Sequence, residues 1–432
     1  MLRSFRVVNH KSIRDEQEFL LIPAYDKSKP AVPVAAIFGA NASGKSNLLD
    51  ALRWLQTAVR ESYAWWEPGS GVPRAPFRLD PAVSGRSSLF CVEIFVEGLR
   101  YTYGVEVDDE SVVEEWLYAY PHNRRRVIFE REQGSIRLGS TVPEHRTRGE
   151  LLARHTRGNA LFLSVAAHND LAEVQPVYRW FRTGIRFGAV DNDPAGESLI
   201  RRLGTDRAAA LVSLIQAADL GLRDVTVQEA HLRLTADHLN ELFPDSDDID
   251  QLLSSEEFIR RARVVLEREM PDARPSLRFH HRGSSVSLGI EEQSAGTRGW
   301  ISLVVDAVDV LDAGGLLVVD EVDASLHPHL TARLINLFRD DETNVRGAQL
   351  VFTTHDPTLL DEETLSRDEI WFVEKTPDSG ATRLFPLTDF HPRKNENTEG
   401  RYLAGSYGAV PLLSDEDFRA AVRRARGDDA AA

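Results

Sequence analysis

One short segment near the start of the chain constrains the fold more than any other feature. Residues 39–46 read GANASGKS, which fits the pattern G-x-x-x-x-G-K-[ST], and they follow an apolar run at 32–38 and precede an amphipathic stretch reaching about residue 59. A strand, turn and helix in this order curl backbone N–H groups around phosphate oxygens, and the helix N-terminus adds its positive end. The sequence therefore predicts an α/β phosphate-binding domain.

The individual positions of this segment predict how a nucleotide is held. Lys45 is expected to reach the β and γ phosphates, and the Ser46 hydroxyl to ligate Mg²⁺, so ATP and Mg²⁺ are the expected cofactors. The alternative is a glycine-rich turn that carries Lys-Ser by chance, which the flanking strand and helix disfavour. The residues predicted to bind the nucleotide here are Gly39, Asn41, Ala42, Ser43, Gly44, Lys45, Ser46 and Asn47.

A second apolar run, 316–319, ends directly at Asp320 and Glu321. A buried parallel strand would deliver both acids at its carboxyl end. Asp320 is then predicted to hold Mg²⁺, and Glu321 to orient or deprotonate a water that attacks the γ phosphate. The alternative is a strand that merely runs into a solvated loop.

Several smaller motifs follow in a fixed order. They are QSAGTR at 293–298, DASLHP at 323–328 and the strand 349–354 that ends at His355. With the phosphate loop and the acid pair, this order resembles the ABC ATPase head, specifically its SMC, RecF and OLD-like branch. The chain is most similar to prokaryotic AAA-labelled ATP-binding subunits resembling RloA and the ATPases of anti-phage systems. Segments 371–375 and 402–411 carry the same resemblance.

The resemblance implies roles for several residues whose local sequence patterns do not indicate a function. Two heads would sandwich two ATP molecules, with Ser294 and Gly296 of one subunit contacting the γ phosphate held by Lys45 of the other. Asp323 would communicate across that interface, and His355 would sense the γ phosphate as a switch residue. The catalytic residues would be Glu321, Lys45 and His355. Ala295 replaces a signature glycine, and no Q-loop glutamine is identified between residues 39 and 150.

Changes in periodicity predict the domain organisation. Alternating runs at 88–97 and 100–107 indicate an antiparallel hairpin, whereas spacing near 3.6 residues dominates from about 150 to 273. The expected fold is a P-loop ABC head, a mixed sheet with flanking helices plus an antiparallel β subdomain, split by a mainly helical insert. The predicted bounds are 1–149 for the N-terminal lobe, 150–273 for the insert and 274–432 for the C-terminal lobe.

Charge and cysteine content limit the binding partners and the cellular compartment that we expect. With 51 Lys and Arg against 67 Asp and Glu, the net charge of −16 argues against a surface coated by nucleic acid. The single cysteine excludes an intramolecular disulfide, and the apolar runs predict neither a signal segment nor a membrane span, so a cytoplasmic protein is expected. Residues 121–160 nevertheless carry nine Arg against four Glu. This basic island, around Arg124, Arg125 and Arg126, could contact nucleic acid or an acidic partner, or could be a solvated hairpin.

Three functions remain open from the sequence. The first is an ATP-hydrolysing ABC-type subunit that forms a homodimer or higher oligomer around ATP and gates a separate effector, a nuclease or toxin, in anti-phage defence. The 77 residues after His355 are too few for a nuclease domain with its metal cluster, so we expect any effector to be another chain. The second is a RecF- or SMC-like DNA-repair ATPase. The third is a slow-turnover ATP-binding scaffold, suggested by Ala295 and the unidentified Q-loop.

Overall fold

The computed structural model describes residues 1–25, 29–140, 146–188, 199–200, 203, 208–218, 220–228, 276–324, 326–394, 396–411 and 415–426. Contacts divide the chain into two compact units, one of Met1–Gly188 with Asp309–Ala432 and one of Ala189–Val308. The predicted insert bounds, 150 and 273, differ from this division. Apolar residues between 161 and 181 belong to the core of the first unit, whereas residues 276–308 belong to the second.

The first unit contains a seven-stranded antiparallel sheet, in the order β2-β1-β4-β5-β6-β7-β8. Its strands are β1 Leu2–Val8, β2 Gln17–Leu20, β4 Ser88–Val96, β5 Leu99–Val107, β6 Val112–Ala119, β7 Arg126–Glu132 and β8 Ser135–Leu138. Alternate residues, such as Phe90, Val92 and Ile94, are buried on the inner face. This period of two is the pattern of a sheet with one covered face, and it confirms the predicted antiparallel β subdomain.

A six-stranded mixed sheet, in the order β16-β15-β3-β14-β13-β9, carries the phosphate loop. Its strands are β3 Val34–Phe38, β9 Ile185–Gly188, β13 Leu316–Val319, β14 Gln349–Thr354, β15 Ile370–Lys375 and β16 Thr382–Pro386. Only β16 is antiparallel to its neighbour, and β3, β13 and β14 are buried along their whole length, as expected for a central parallel sheet. The carboxyl ends of β3, β14 and β13 therefore lie side by side.

Ten helices in the described part of the chain complete the architecture. They are α1 Lys45–Glu61, α2 Pro81–Ser84, α3 Arg146–His155, α4 Phe162–His168, α5 Gln175–Thr183, α6 Ala208–Gln216, α7 Ala295–Ala313, α8 Pro328–Arg339, α9 Thr398–Leu403 and α10 Asp415–Arg426. Leu48, Leu52, Leu55 and Val59 recur on one face of α1 and join a core that contains residues of both large sheets. None of the helices in the described ranges has the length and apolar character needed to cross a membrane.

The second unit contains a small antiparallel sheet as well as helices. Its strands are β10 Leu222–Gln228, β11 Ser276–His281 and β12 Ser287–Leu288. Strand β10 falls inside the segment predicted to be mainly helical, and Leu222 and Val225 are its buried apolar residues. The part of that segment between 229 and 275 lies outside the described residues.

Candidate functional site

The phosphate loop leaves the end of β3 and turns into α1 through two tightly confined glycines. Gly44 caps α1 with φ 110°, a left-handed conformation that disfavours a side chain, and a Cβ there would lie 2.1 Å from Thr382 Oγ1. A Cβ on Gly39 would lie 2.3 Å from the carbonyl oxygen of Val373. Close packing of β15 and β16 against the loop thus explains why both motif positions are glycine.

Lys45 is buried, and among the described residues the hydrogen-bond partners of its ammonium group are the loop itself and one histidine. Its Nζ donates to the carbonyl oxygens of Gly39 (2.7 Å) and Ala40 (3.2 Å) and lies 3.4 Å from His355 Nδ1. Burial lowers the pKa of Lys45, while the charges of Glu321, Asp320 and Asp323 act in the opposite direction. The loop therefore encloses a cation without an ion-pair partner in direct contact among the described residues.

The remaining loop residues differ in exposure. Asn41, Ala42 and Ser46 are exposed, with Ser46 in the first turn of α1, whereas Ser43 is buried. The Asn47 amide Nδ2 donates to Ser12 Oγ at 2.6 Å, a contact made behind the loop by a residue that sequence reasoning did not single out. Direct contact between Asn47 and a nucleotide stays a prediction.

Asp320 and Glu321 follow β13 directly and are both exposed at the edge of the sheet. Thr353 of β14 fixes them: its Oγ1 donates to Asp320 Oδ1 at 2.5 Å and accepts from the Glu321 N–H at 2.7 Å. Because Val319 pairs with Phe352 in the parallel register, Thr353 comes opposite Asp320. The sequence analysis did not identify Thr353 as a site residue. The two apolar runs that form β13 and β14 could have indicated it, because parallel pairing of these runs places Thr353 beside Asp320.

His355 connects the lysine to the acids. Its backbone N–H donates to Asp323 Oδ2 (3.0 Å), and its Nε2 lies 3.5 Å from Glu321 Oε1, while Nδ1 faces Lys45. The other carboxylate oxygen of Asp323 is buried without a hydrogen-bond partner in the described structure. Residues predicted from three separate motifs are therefore assembled at the carboxyl ends of adjacent parallel strands, where α/β sheets bind ligands.

Ser294 and Gly296 belong to the second unit, at the start of α7. Ser294 caps that helix, because its Oγ accepts from the Thr297 N–H at 3.2 Å and lies 2.9 Å from Thr297 Oγ1. The predicted helix start is confirmed, and Ser294 is exposed. Its contact with a partner's nucleotide stays a prediction.

The site residues fit ATP with Mg²⁺. The N–H groups of Lys45 and Ser46 precede the first hydrogen bond of α1, which the Asn47 N–H makes to the Gly44 carbonyl, and they lie beside a buried ammonium group, which suits an anion. The ranges that the structure describes hold no group of three His, Cys, Asp or Glu able to bind a metal ion. Mg²⁺ at nucleotide sites typically needs only one or two protein ligands together with phosphate oxygens, and Ser46 and Asp320 could supply these.

The basic island divides into exposed and buried parts. Arg124 and Arg125 are exposed after the turn Pro121–Asn123, and the Arg125 guanidinium stacks over the Tyr118 ring at 4.4 Å and lies 3.5 Å from Glu130 Oε1. Arg131, by contrast, is buried beside Glu115. Counting arginines therefore overstated the charge that this segment presents to solvent.

A family model and a curated relative match parts of the chain. Residues 34–361 match the AAA_21 family, described as "AAA domain, putative AbiEii toxin, Type IV TA system". A curated Escherichia coli protein, "Retron Ec83 probable ATPase", is 26% identical over 102 residues, which cover 21% of this chain and 18% of that protein. The chain thus matches less than a fifth of the length of this relative.

Two solved structures of SMC heads also align with most of the chain. An SMC head bound to the C-winged helix domain of ScpA aligns at a TM-score of 0.42 and 12% identity, covering 90% of this chain and 99% of that one. The SMC head domain from Thermotoga maritima aligns at a TM-score of 0.38 and 14% identity, covering 89% and 98%.

Proposed function

The chain belongs to the AAA_21 family, and from that premise we propose that it binds ATP with Mg²⁺ at loop 39–46 and hydrolyses it. The observation that carries this proposal is the assembly of Lys45, His355 and Glu321 at one sheet edge, with His355 3.4 Å from the lysine and 3.5 Å from the glutamate. A cation that binds the phosphates and a carboxylate that orients the attacking water are recurring parts of phosphoryl transfer to water, and His355 contacts both groups here.

Each residue of this edge has a distinct role in the proposal. Lys45 and the N–H groups at the start of α1 bind the phosphates, and Ser46 and Asp320 hold Mg²⁺, which neutralises phosphate charge when bound. Glu321, fixed through its backbone by Thr353, orients a water and accepts its proton. His355 senses the γ phosphate through its position beside Lys45.

We further propose that ATP joins two copies of the chain and that the dimer gates a separate effector, a nuclease or toxin, in anti-phage defence. Ser294 is exposed at a helix N-terminus, where a phosphate held by a second subunit could be bound. The family description names a toxin–antitoxin system, and the partial relative is named a retron ATPase, which supports a partner protein.

Steady-state hydrolysis by Glu321→Gln tests the enzyme against the scaffold. General-base loss is expected to lower the ATPase rate by about 10²–10⁴-fold while ATP binding persists. Glu342→Gln, an exposed glutamate outside the site, is the matched control and should retain the wild-type rate. Wild-type turnover no higher than that of Lys45→Ala would contradict hydrolysis and favour the slow-turnover scaffold.

Mass measurement of Glu321→Gln, with and without ATP, tests dimerisation and partner binding. We expect the mass to double with ATP and a complex to form with the product of the neighbouring gene. A mass that does not change with ATP, with no partner bound, would contradict gating.

A second candidate is a DNA-repair ATPase, favoured by the exposure of Arg124 and Arg125. It predicts DNA binding that weakens with salt and a salt slope that falls by about one for each phosphate contact removed. Neutralising both residues with Arg→Gln substitutions should then reduce affinity for all sequences alike. Unchanged DNA binding would exclude this surface as the DNA site.

A further inference from the structure

Three side chains behind the phosphate loop form a chain of hydrogen bonds that ends on the loop itself. Asn47 Nδ2 donates to Ser12 Oγ (2.6 Å), Ser12 Oγ lies 2.7 Å from Thr382 Oγ1, and Thr382 Oγ1 donates to the Ser43 carbonyl oxygen (2.9 Å). Each hydroxyl carries a single hydrogen, and that of Thr382 is used on Ser43. Ser12 must therefore donate to Thr382, so all three bonds run in one direction.

The three residues come from elements far apart in the chain. Ser12 lies in the loop after β1, Asn47 in the first turn of α1, and Thr382 at the start of β16. The Thr382 N–H also donates to the Ser12 carbonyl oxygen at 2.8 Å, and both residues are buried. Residues next to strands of both large sheets are thus joined at the back of the loop.

This chain of bonds sets the orientation of one peptide plane. No peptide bond in the described structure is cis, and in a trans peptide the C=O and N–H point in opposite directions. Because the Ser43 carbonyl is held toward Thr382, the Gly44 N–H is turned away from Thr382. Gly44 is the N-cap of α1, so this N–H joins the donors at the helix start that bind anions.

We propose that Thr382, supported by Ser12 and Asn47, is a positioning residue that keeps the Ser43–Gly44 peptide turned to donate to a nucleotide phosphate. This inference rests on the proposed ATP site. Thr382 contacts the back of the loop, and it acts on the phosphate only through that peptide.

Substitutions at Thr382 test the proposal in the full-length chain. Thr382→Val keeps the shape but removes the hydroxyl, and the Kd for ATP with Mg²⁺ is expected to rise about tenfold, the effect of one lost hydrogen bond. Thr382→Ser restores the hydroxyl and should restore affinity. The matched control is Thr331→Val, since Thr331 is equally buried in α8 and its Oγ1 has no hydrogen-bond partner in the described structure. In steady state, KM should rise with little change in kcat.

The outcomes separate this inference from the proposed function. Wild-type affinity in Thr382→Val, or a weakened affinity that Thr382→Ser does not restore, would overturn the positioning role while leaving the ATP site intact. A wild-type chain that binds ATP no better than Lys45→Ala would overturn the proposed function and this inference with it. If Thr382→Val does not fold, Thr382→Ala removes the same hydroxyl together with the methyl group, and unchanged ATP affinity in that variant would equally overturn the role.

Discussion

Two buried cations of the first unit are held in opposite ways. Arg131, 2% exposed, lies 3.9 Å from the fully buried carboxylate of Glu115 and donates to the carbonyl oxygens of Ala160 and Gly158. Lys45, 5% exposed, donates to two loop carbonyls. No carboxylate in the described part of the chain comes within ion-pair distance of its ammonium group.

The difference separates a structural charge from one available to a ligand. Glu115 also accepts from the Phe162 and Leu163 N–H groups and from Tyr103, so its carboxylate is bound within the fold, and Arg131 keeps only its Nε without a hydrogen-bond partner among the described residues. Burial lowers the pKa of both Lys45 and Arg131, but of the two only Arg131 has a carboxylate within ion-pair distance among the described residues. An anionic phosphate would supply the counter-ion that Lys45 lacks, whereas Arg131 already has one in Glu115.

The largest effect is expected for Arg131→Met. Removing one partner leaves the Glu115 carboxylate buried and uncompensated, which should lower the free energy of unfolding by about 3–5 kcal/mol in urea denaturation. The double variant Arg131→Met/Glu115→Gln removes both charges but keeps an amide oxygen that can accept from the Phe162 or Leu163 N–H, and it should recover part of the loss. Equal stability of the single variant and the wild type would contradict the structural role.

The same variant has an expected pH dependence. Burial already raises the pKa of Glu115, and Arg131 is the largest factor opposing it, so Arg131→Met should raise this pKa further. A carboxyl whose folded pKa exceeds its unfolded value binds more protons when folded, so stability falls as pH rises through that window. The stability deficit of Arg131→Met relative to wild type should therefore shrink as the pH falls through the raised pKa of Glu115 toward its ordinary value of 4.5.

Lys45→Met should have the opposite effect to Arg131→Met: a small change in stability and a large loss of ATP affinity. Methionine keeps the apolar stem and removes a charge that is costly to bury, so the free energy of unfolding should change by less than about 1 kcal/mol. ATP affinity should fall by about 1.5–3 kcal/mol, roughly 10–100-fold, because a charge-assisted contact is lost. Calorimetric titration with ATP and urea denaturation measure the two quantities. A large loss of stability with unchanged ATP binding would show that Lys45 is a structural charge like Arg131 and would contradict its role in binding ATP.

The sequence predicted those site residues that directly follow an apolar strand. The loop, Asp320, Glu321 and His355 each follow an apolar run, and the carboxyl ends of neighbouring parallel strands meet at one edge. Ser12 and Thr382 were not predictable in this way. They are 370 positions apart and meet the loop through packing between elements, which no local pattern records.

Charge counts and hydrophobic periodicity did not predict which charged residues are buried or which unit a helix packs into. Arg131 was counted with the exposed arginines, although alternation along β6 places Glu115 on the inner face with Leu117 and Ala119, a signal for a buried partner. Similarly, the 3.6-residue spacing from about residue 150 predicted helices, and α4 and α5 lie there, but periodicity cannot tell which unit a helix packs into. These helices pack into the core of the first unit, and the compact second unit begins only at Ala189.

The smallest change in the free energy of unfolding is expected at Arg125, which, unlike Arg131 and Lys45, is an exposed cation. Its side chain is 58% exposed, so its pairing with Glu130 and its stacking on Tyr118 should together contribute no more than about 1 kcal/mol to the free energy of unfolding. Arg125→Ala should therefore unfold in urea almost like wild type, and salt should reduce even that difference. The exposed Arg124→Ala is the matched control. If Arg125→Ala lost as much stability as Arg131→Met, burial would not be what distinguishes the structural arginine, and the contrast between the two cation classes would fail.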